Sequence, residues 1–411
     1  MITRVEAKER IAEILAHNSP IKTGQTLPIR VGETFNVYRI PLDLLVPNIL
    51  NDRITWRIRE YEAENDRKLD VETDADVEFL YSLILDEHKR DNERTKAELA
   101  QKGQMVDGVI TNDGIIIDGN RRATLLRCLF KGEAEKYNQC VEKFRYFNAI
   151  VLPEDIGPKE RMALETMIQI GADKPVDYNR ICLYIKVDNL LAEKYSYAQI
   201  KQYMGLKSEK DVEDMENIYK LMVEYLEAIG KPNHFTLLDG LEDQFINTRT
   251  VFKKLDNGTY DANWEYSKDD VANFKMVCYD YMRSKFEGKK YRDVLVGKPN
   301  KTNGVFIEKK VWENFLEHHD SIINANDPES EADWHLLGKR GGKLDMNLNN
   351  AVQQLDSVLK DKNISKLIHE VEIKVDRIDE LLDGMDEVFQ EDIDKLRELS
   401  KTLYKITTRF E

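Results

Sequence analysis

The stretch GIIIDGNRRATLLRCLF, residues 114–130, decides the fold expected for this chain. Three isoleucines followed by Asp-Gly-Asn are typical of a buried strand that ends in a tight turn. After the turn, apolar side chains recur with the one-face spacing of a helix, at Leu125, Leu126, Leu129 and Phe130. The stretch therefore predicts a strand, a glycine turn and a helix that begins near Arg121.

Two arginines, Arg121 and Arg122, lie in the first turn of that predicted helix. The first N–H groups of a helix have no partner within it, and together with the helix dipole they favour a bound anion. Cations at this end oppose the dipole, so an anion between the arginines would remove the conflict. The guanidinium fork fits phosphate oxygens well. From the residues alone, a phosphate site and a surface cluster of ion pairs both stay open.

The length and composition indicate a globular protein of several domains. The chain has 411 residues, of which 41% are hydrophobic and 33% are charged, and a single core rarely serves so long a chain. No stretch approaches the roughly 18 consecutive apolar residues of a membrane span. The N-terminal segment is a charged amphipathic helix rather than a signal peptide. We therefore expect a cytoplasmic protein that does not associate with membranes.

Charge and cysteine content narrow the function classes further. A net charge of -15 argues against binding to nucleic acid by charge alone, because that mode needs cations to displace phosphate counterions. A local basic face remains compatible with it. The four cysteines are too sparse for a disulfide framework and lack CxxC spacing. We expect reduced cysteines and no structural metal site.

Local patterns along the chain predict an α+β protein. Short strands are indicated in FNVYRI, MVDGVITND, GIIID and FRYFNAIVLP, the middle two as a hairpin. The polar segment 55–101 is predicted to be an exposed helical insertion, and helical patterns dominate after residue 157. The predicted divisions are an N-terminal helix in 1–30, a small mixed-sheet domain in 31–153, helical domains in 154–234 and 235–325, a linker in 326–343 and a helical tail in 344–411.

A pair of helices in the first helical domain has the pattern of a helix-turn-helix. A helix capped at Ser196 is expected to end at Gly205, and Ser208 with Asp211 forms a capping box for the next helix. A plain helical hairpin fits the pattern equally well. The second helix is acidic, which disfavours its insertion into the major groove of DNA.

Candidate DNA contacts are the cations of this helix pair and of a basic segment, residues 283–310. They are Lys201, Lys207, Arg283, Lys285, Lys289, Lys290, Arg292, Lys298 and Lys301. The alternative for the basic segment is a solvated loop.

The tail carries an apolar stripe with a spacing of three to four residues. The stripe includes Leu355, Val358, Leu359, Ile368, Val371, Val375, Ile378, Leu382, Met385 and Phe389. Such a stripe must be covered, either by packing on the rest of the protein or by self-association into a bundle or coiled coil. We expect a homodimer, with a protein partner on the tail as the alternative.

The turn and its surroundings resemble the ParB/sulfiredoxin superfamily, which includes the ParB-like nucleases. KGQMVDGVITNDGIIIDGNRRATLL is similar to that family's Gly-Gln loop, strand pair and acidic-Gly-x-Arg-Arg turn, and YRIPLDLLVPNILNDRI is similar to its first element. The helices that follow resemble the ParB helix-turn-helix region. The resemblance covers about residues 35–221 and leaves a helical insertion between Arg53 and Gly103. It implies a small ParB/sulfiredoxin-like mixed sheet followed by helical domains.

The resemblance also implies a site for a nucleoside triphosphate, CTP or ATP, with Mg²⁺. Glu165 matches the carboxylate beside the metal and is the candidate catalytic group, whereas the other matched residues surround the nucleotide and its phosphates. The latter are Gly103, Gln104, Asp118, Gly119, Asn120, Arg121, Arg122 and Thr166. Asn120 replaces the Glu most common in ParB proteins, and Thr166 stands where an Asn often follows Glu165. Both departures affect hydrolysis more than binding, because a missing carboxylate leaves the attacking water without an orienting group.

These observations predict a ParB-like, DNA-associated protein in which nucleotide binding, with or without hydrolysis, acts as a conformational or dimerisation switch. One alternative is an enzyme of the same superfamily, either a metal-dependent nuclease or a small-molecule kinase. The other is a partner-binding protein whose nucleotide site is vestigial. No cysteine occupies the turn, where the sulfiredoxin branch carries its reactive one, so reductase chemistry is not expected.

Overall fold

The computed structural model describes residues 2–171, 179–297, 304–383 and 389–409 of the chain. It confirms the α+β prediction, since the described residues form one mixed six-stranded sheet and many helices. The strands are β1 Lys22–Gln25, β2 Phe35–Pro41, β3 Val46–Pro47, β4 Gly108–Ile110, β5 Ile115–Asp118 and β6 Tyr146–Val151.

The helices fall into those that surround the sheet and those that follow it. The first group is α1 Arg4–His17, α2 Thr55–Asn65, α3 Asp74–Asp86, α4 Lys89–Lys102, α5 Asn120–Phe130 and α6 Pro158–Thr166. The second is α7 Arg180–Ala192, α8 Tyr197–Met204, α9 Glu209–Ala228, α10 Glu242–Asp256, α11 Lys268–Arg283, α12 Gly288–Lys290, α13 Lys309–Asn326, α14 Glu331–Gly338, α15 Lys343–Leu382 and α16 Gln390–Thr407.

The sheet has the order β1-β2-β6-β4-β5-β3. Its longest pair is antiparallel, with Val37 of β2 opposite Ile150 of β6. β4 runs parallel to β6 and pairs with β5 as the predicted antiparallel hairpin. The short β3 closes the edge in parallel with β5. All four strands predicted from the sequence are therefore present.

Helices cover both faces of the sheet. Ile116 of β5 packs in one apolar core with Leu125 of α5, and the next residue, Ile117, packs in the opposite core with Leu164 of α6. This alternation follows from the pleat, which turns successive side chains to opposite faces. Strand β5 therefore leads directly into α5, which packs on one face of the sheet, while α6 packs on the other face of the same strand.

The insertion between β3 and β4 consists of α2, α3 and α4. The expectation that it is exposed is wrong for α3, whose side chains at Leu80, Leu83 and Ile84 are buried in a small core with Ile54 and Ile58. Both α3 and α4 also contact α5. The insertion is therefore built onto the helix that carries the two arginines.

Most helices after the sheet contribute to one large core, whereas α8 packs in a smaller one with Val187 of α7 and Val212 of α9. The large core extends from Ile181 to Leu355 in the chain and so crosses the boundary predicted between residues 234 and 235. The segment predicted as a linker, 326–343, contains α14, whose Leu337 belongs to the same core. The cap at Ser196 and the capping box at Ser208 are present as predicted, and Ser196 also forms a capping box, with Gln199.

The tail leaves this core halfway along α15. Leu344, Leu348, Ala351 and Leu355 are buried, whereas the described side chains beyond them are mostly exposed. No residue of α16 is fully buried. Among the described residues, no helix is both long and apolar enough to cross a membrane.

Candidate phosphate site at the β5–α5 turn

The β5–α5 turn has the backbone form that the sequence predicts. Gly119 caps α5 with φ 93° and ψ 19°, in the left-handed region, where glycine pays no steric penalty. The next residues, Asn120, Arg121 and Arg122, form the first turn of the helix. The N–H groups at this end point out of the helix and supply the dipole that favours an anion.

Two glycines allow the turn to pack closely against an aromatic ring. A Cβ atom on Gly119 would lie 2.8 Å from Cζ of Phe147 and 3.0 Å from Nη2 of Arg122, and one on Gly108 would lie 2.3 Å from the same ring carbon. No side chain fits at such distances. The glycines thus bring Arg122 against the backbone of the turn.

Arg122 is held by groups of the chain itself. Its Nη2 donates to Oδ2 of Asp118 at 2.8 Å and to the carbonyl of Asp107 at 3.3 Å. Its Nε is buried and has no hydrogen-bond partner among the described residues. Lys22 pairs with the carboxylate of Asp107 at 2.7 Å. An unpaired guanidinium N–H is costly to bury, which marks this atom as a donor without its acceptor.

Arg121 points in another direction, toward the insertion. Its Nε donates to Oδ1 of Asn92 at 2.6 Å, and the buried Asn92 amide in turn donates to the carbonyls that end α3. The two arginines therefore have separate environments: Arg122 faces Asp118, and Arg121 ties α5 to the insertion. The predicted conflict between cations and helix dipole is partly relieved by Asp118 within the chain.

Asn120 is a buried structural residue in this arrangement. Its Oδ1 accepts from the backbone N–H of Asn48 at 3.1 Å, and its Nδ2 donates to the carbonyl of Ile116 at 2.9 Å. Both ends of the amide are thus used. Asn120 fixes the loop after β3 to the turn, and its side chain is not turned toward a ligand.

Gly103 and Gln104 lie at the end of α4, before β4. Gly103 caps that helix with φ 75°. The amide of Gln104 makes hydrogen bonds in both directions with the backbone of Asn148 on β6, each of 2.8 Å. Gln104 thereby extends the β4–β6 pairing up to Asp107, whose carbonyl accepts from Arg122. These two residues shape the approach to the turn.

Glu165 lies in a buried charged cluster below the turn. Its carboxylate accepts from Nδ2 of Asn48 at 3.2 Å and lies 3.6 Å from Nζ of Lys186, which in turn lies 3.1 Å from Asp52. All three charged side chains are at most 1% exposed. Burial raises the pKa of Glu165 to about 8, and it raises the pKa of Asp52 as well. Thr166 is also buried, and its hydroxyl donates to the carbonyl of Met162.

The matched residues are thus connected but do different things. The turn, Asn48 and Glu165 form one chain of hydrogen bonds, whereas Gln104 joins through the β4–β6 edge. The sequence did not identify Asn48, Asp52 or Lys186 as members. A signal was present for Lys186, since it is the one cation on an apolar helical face in RICLYIKVDNLLA, where charge is rare without a partner.

The predicted DNA contacts are dispersed, and three of them pair with acidic side chains. Within the described part of the basic segment, Arg283 pairs with Glu331, Lys290 with Asp345 and Arg292 with Asp293. Lys285 and Lys289 are exposed, as is Lys207, and Lys201 is half-buried. Lys298 and Lys301 lie outside the described residues.

The second helix of the helix-turn-helix pattern, α9, is a core helix. It buries Val212, Ile218, Leu221, Met222, Tyr225 and Leu226, and its exposed start carries Glu209 and Asp211. Asp214 on the same helix pairs with Arg249. A strongly acidic first turn opposes contact with phosphates or base edges.

Comparison with models of known protein families gives no match for this chain, and comparison with curated proteins gives none either.

The buried cluster predicts how stability depends on pH. The pKa of Glu165 lies near 8 in the folded protein against an ordinary value of 4.5, so the folded chain holds a proton that the unfolded chain releases. The free energy of unfolding should therefore fall as pH rises from about 5 to about 8, by up to ~1.4 kcal/mol per pH unit from this group. Urea denaturation at several pH values measures it.

Glu165→Gln should remove this contribution and make the pH dependence shallower over the same range. Exposed Glu317 on α13 provides the control, and Glu317→Gln should keep the wild-type slope. Equal slopes in wild type and Glu165→Gln would show that Glu165 is ionised in the folded protein.

Proposed function

We propose that the β5–α5 turn binds the phosphates of a nucleoside triphosphate, CTP or ATP, and that binding acts as a conformational switch. The observation that carries the proposal is the buried Nε of Arg122, which has no hydrogen-bond acceptor among the described residues. Arg122 lies in the first turn of α5, where the helix dipole also favours an anion. One phosphate oxygen would accept from Nε of Arg122, and a second would accept from an Nη atom of the same guanidinium, which gives a bidentate pair. The N–H groups of the turn favour the same anion.

Asp118 acts as the internal competitor of the phosphate. Its carboxylate holds Nη2 of Arg122 at 2.8 Å, so a bound nucleotide would replace this contact with its own oxygens. Exchange of one acceptor for another gives Arg122 two discrete arrangements, one bonded to Asp118 and one bonded to phosphate. A switch requires such a pair of discrete states that a ligand can bias.

The similarity to ParB proteins supports the same assignment from an independent direction. The residues that match its triphosphate turn lie at the N-terminus of α5, directly after strand β5 of the mixed sheet. DNA association enters the proposal through this resemblance alone. Of the seven described cations expected to contact DNA, three, Arg283, Lys290 and Arg292, pair with acids.

The proposal covers binding and does not assign Glu165 to Mg²⁺ or to hydrolysis. The carboxylate of Glu165 is buried and already faces a cation, since Nζ of Lys186 lies 3.6 Å from it. Asn120 is likewise engaged with backbone groups and offers no base to orient a water molecule. Mg²⁺ would remain on the phosphate oxygens with its water shell, as this ion commonly does.

The insertion provides a path from the site to the rest of the protein. Arg121, next to Arg122, donates to Asn92 of α4, and both α3 and α4 contact α5. A change at the first turn of α5 therefore acts on the insertion directly. We propose that the nucleotide-linked state is transmitted through this contact.

Arg122→Ala tests the site by isothermal titration calorimetry with CTP, ATP and GTP, each with Mg²⁺ and with and without DNA. Loss of a hydrogen bond to a charged group costs about 1.5–3 kcal/mol, so affinity should fall roughly 10- to 150-fold. Asp118→Asn should strengthen binding up to about 5-fold, because it removes the competing anion.

Arg127→Ala is the matched control. Arg127 lies on the same helix but pairs with Glu78 and stacks over Tyr81, away from the turn, so its loss should leave affinity unchanged. Binding that is equally strong in Arg122→Ala would refute the site. No binding by the wild type would favour the alternative of a vestigial site, and cleavage of DNA in these assays would favour a nuclease.

We also propose that the tail forms a homodimer. Ile364, Ile368, Val371, Val375, Ile378 and Leu382 follow the alternating four- and three-residue spacing of a coiled-coil seam. Ile364 and Ile368 are 56% and 54% exposed. Val371 also lines an open groove with Leu399 and Leu403 of α16. An exposed apolar stripe of this length is typical of an interaction surface. The same stripe on a second copy of the chain would cover it.

Substitution of both Val371 and Val375 by Glu should convert the dimer to a monomer, because it puts charges on the seam. Light scattering coupled to size exclusion measures the mass. Ile373 lies on the same helix off the seam and is 54% exposed, so Ile373→Glu should remain dimeric. A wild-type chain that is monomeric at micromolar concentration would contradict this assignment.

A further inference from the structure

Glu60, Glu64 and His234 converge where the insertion meets the helical part of the protein. Among the residues that the structure describes, their ligand atoms form a group of three that all lie within 4.8 Å of one another. Glu60 and Glu64 are four residues apart on α2, which puts both carboxylates on one face of the helix. His234 directly precedes a short 3₁₀ helix, Phe235–Leu238, that contacts α2.

The imidazole of His234 is oriented by a group outside the cluster. Its Nδ1 lies 3.0 Å from the carbonyl of Pro232, which can only accept, so Nδ1 carries the proton of this hydrogen bond. Nε2 then faces Glu64, with Nε2 and Oε1 separated by 3.7 Å. Histidines that bind metals commonly have this arrangement, with one nitrogen donating to a carbonyl and the other directed at the ion.

The distance between Nε2 and the Glu64 carboxylate does not correspond to a hydrogen bond, whose usual N···O length is about 2.9 Å. It is close to the spacing of two ligands of one ion. Bond lengths of about 2.0–2.2 Å in a tetrahedral site put neighbouring ligand atoms roughly 3.4 Å apart. All three ligand atoms lie within 4.8 Å of one another, so rotation of the exposed Glu64 side chain would shorten its distances to the other two.

The ligands stand on a rigid framework. Phe235, next to His234, is fully buried and stacks on Tyr219 at 6.0 Å. Arg59 of α2 lies over the Phe235 ring and bonds Tyr219 Oη at 2.5 Å. The hydroxyl of Thr236 donates to Oε1 of Glu60 at 2.5 Å. Both segments of the junction, α2 and the 3₁₀ helix after His234, are thus held in place before any ion binds, which lowers the free-energy cost of binding.

We propose that Glu60, Glu64 and His234 bind a divalent transition-metal ion of the Zn²⁺ type. One imidazole nitrogen and two carboxylates are a donor set that Zn²⁺ accepts with water in the fourth position. An imidazole ligand selects such ions over Mg²⁺ and Ca²⁺, which prefer oxygen ligands only. The ion fastens α2 of the insertion to the segment after α9.

This site departs from the expectation that the chain has no structural metal. That expectation rested on the spacing of the cysteines, whereas here 170 residues separate Glu64 from His234. The site shares no residue with the β5–α5 turn, so each proposal can be tested without the other.

Titration of the full-length, chelator-treated protein with Zn²⁺ alone tests the proposal. Isothermal calorimetry should give one ion per chain for this site, and the midpoint of thermal unfolding should rise with Zn²⁺ and return with a chelator. Mg²⁺ at the same concentration should do neither. His234→Ala and Glu64→Gln should each weaken Zn²⁺ binding by at least about 10-fold.

Glu64→Gln guards against a folding artefact, because that side chain is 57% exposed and its amide keeps the size of the carboxylate. His17 is the matched control histidine: its Nδ1 lies 2.9 Å from the carbonyl of Glu13, and His17→Ala should bind Zn²⁺ like the wild type. Zn²⁺ binding that is absent, or that is unchanged in both Glu64→Gln and His234→Ala, overturns the site.

Discussion

The hydrogen bond from the backbone N–H of Asn48 to the side-chain oxygen of Asn120 joins the two halves of the candidate site. Above it lies the first turn of α5 with Arg122. Below it, the amide of Asn48 leads to Glu165 and so to the buried pair with Lys186. Because both ends of Asn120 are used, this one side chain connects the turn to the loop that leads to the buried cluster. The arrangement explains why an amide suits position 120: a carboxylate there could accept from Asn48 but could not donate to the carbonyl of Ile116.

The local part of this arrangement could be predicted from the sequence, and the long-range part could not. Strand β5, the left-handed Gly119 and helix α5 follow from neighbours in the chain, as turn chemistry and helical spacing do. The different surroundings of the two arginines could not be predicted, because Asn92 is supplied by an insertion that the sequence indicates to be exposed. Likewise, Asp52 and Lys186 meet across 134 residues, and no local pattern encodes that contact.

The insertion of α2, α3 and α4 connects several parts of the structure. It begins beside the buried cluster, packs α3 and α4 on α5, and meets the helical part through α2. It therefore touches both the β5–α5 turn, through Arg121, and the junction that carries Glu64 and His234. A nucleotide and a metal ion would act on opposite ends of one packed unit. Coupling of this kind is reciprocal when it exists, so each ligand would change the affinity for the other.

The central claim is that phosphate replaces Asp118 as the partner of Arg122. A crystal structure of the protein with CTP or ATP and Mg²⁺ examines it most directly. We expect phosphate oxygens within hydrogen-bond distance of both Nε and an Nη atom of Arg122, and loss of the 2.8 Å contact between Nη2 and Asp118. A nucleotide bound elsewhere, or one bound at the turn while the contact between Arg122 and Asp118 stays intact, would contradict the claim.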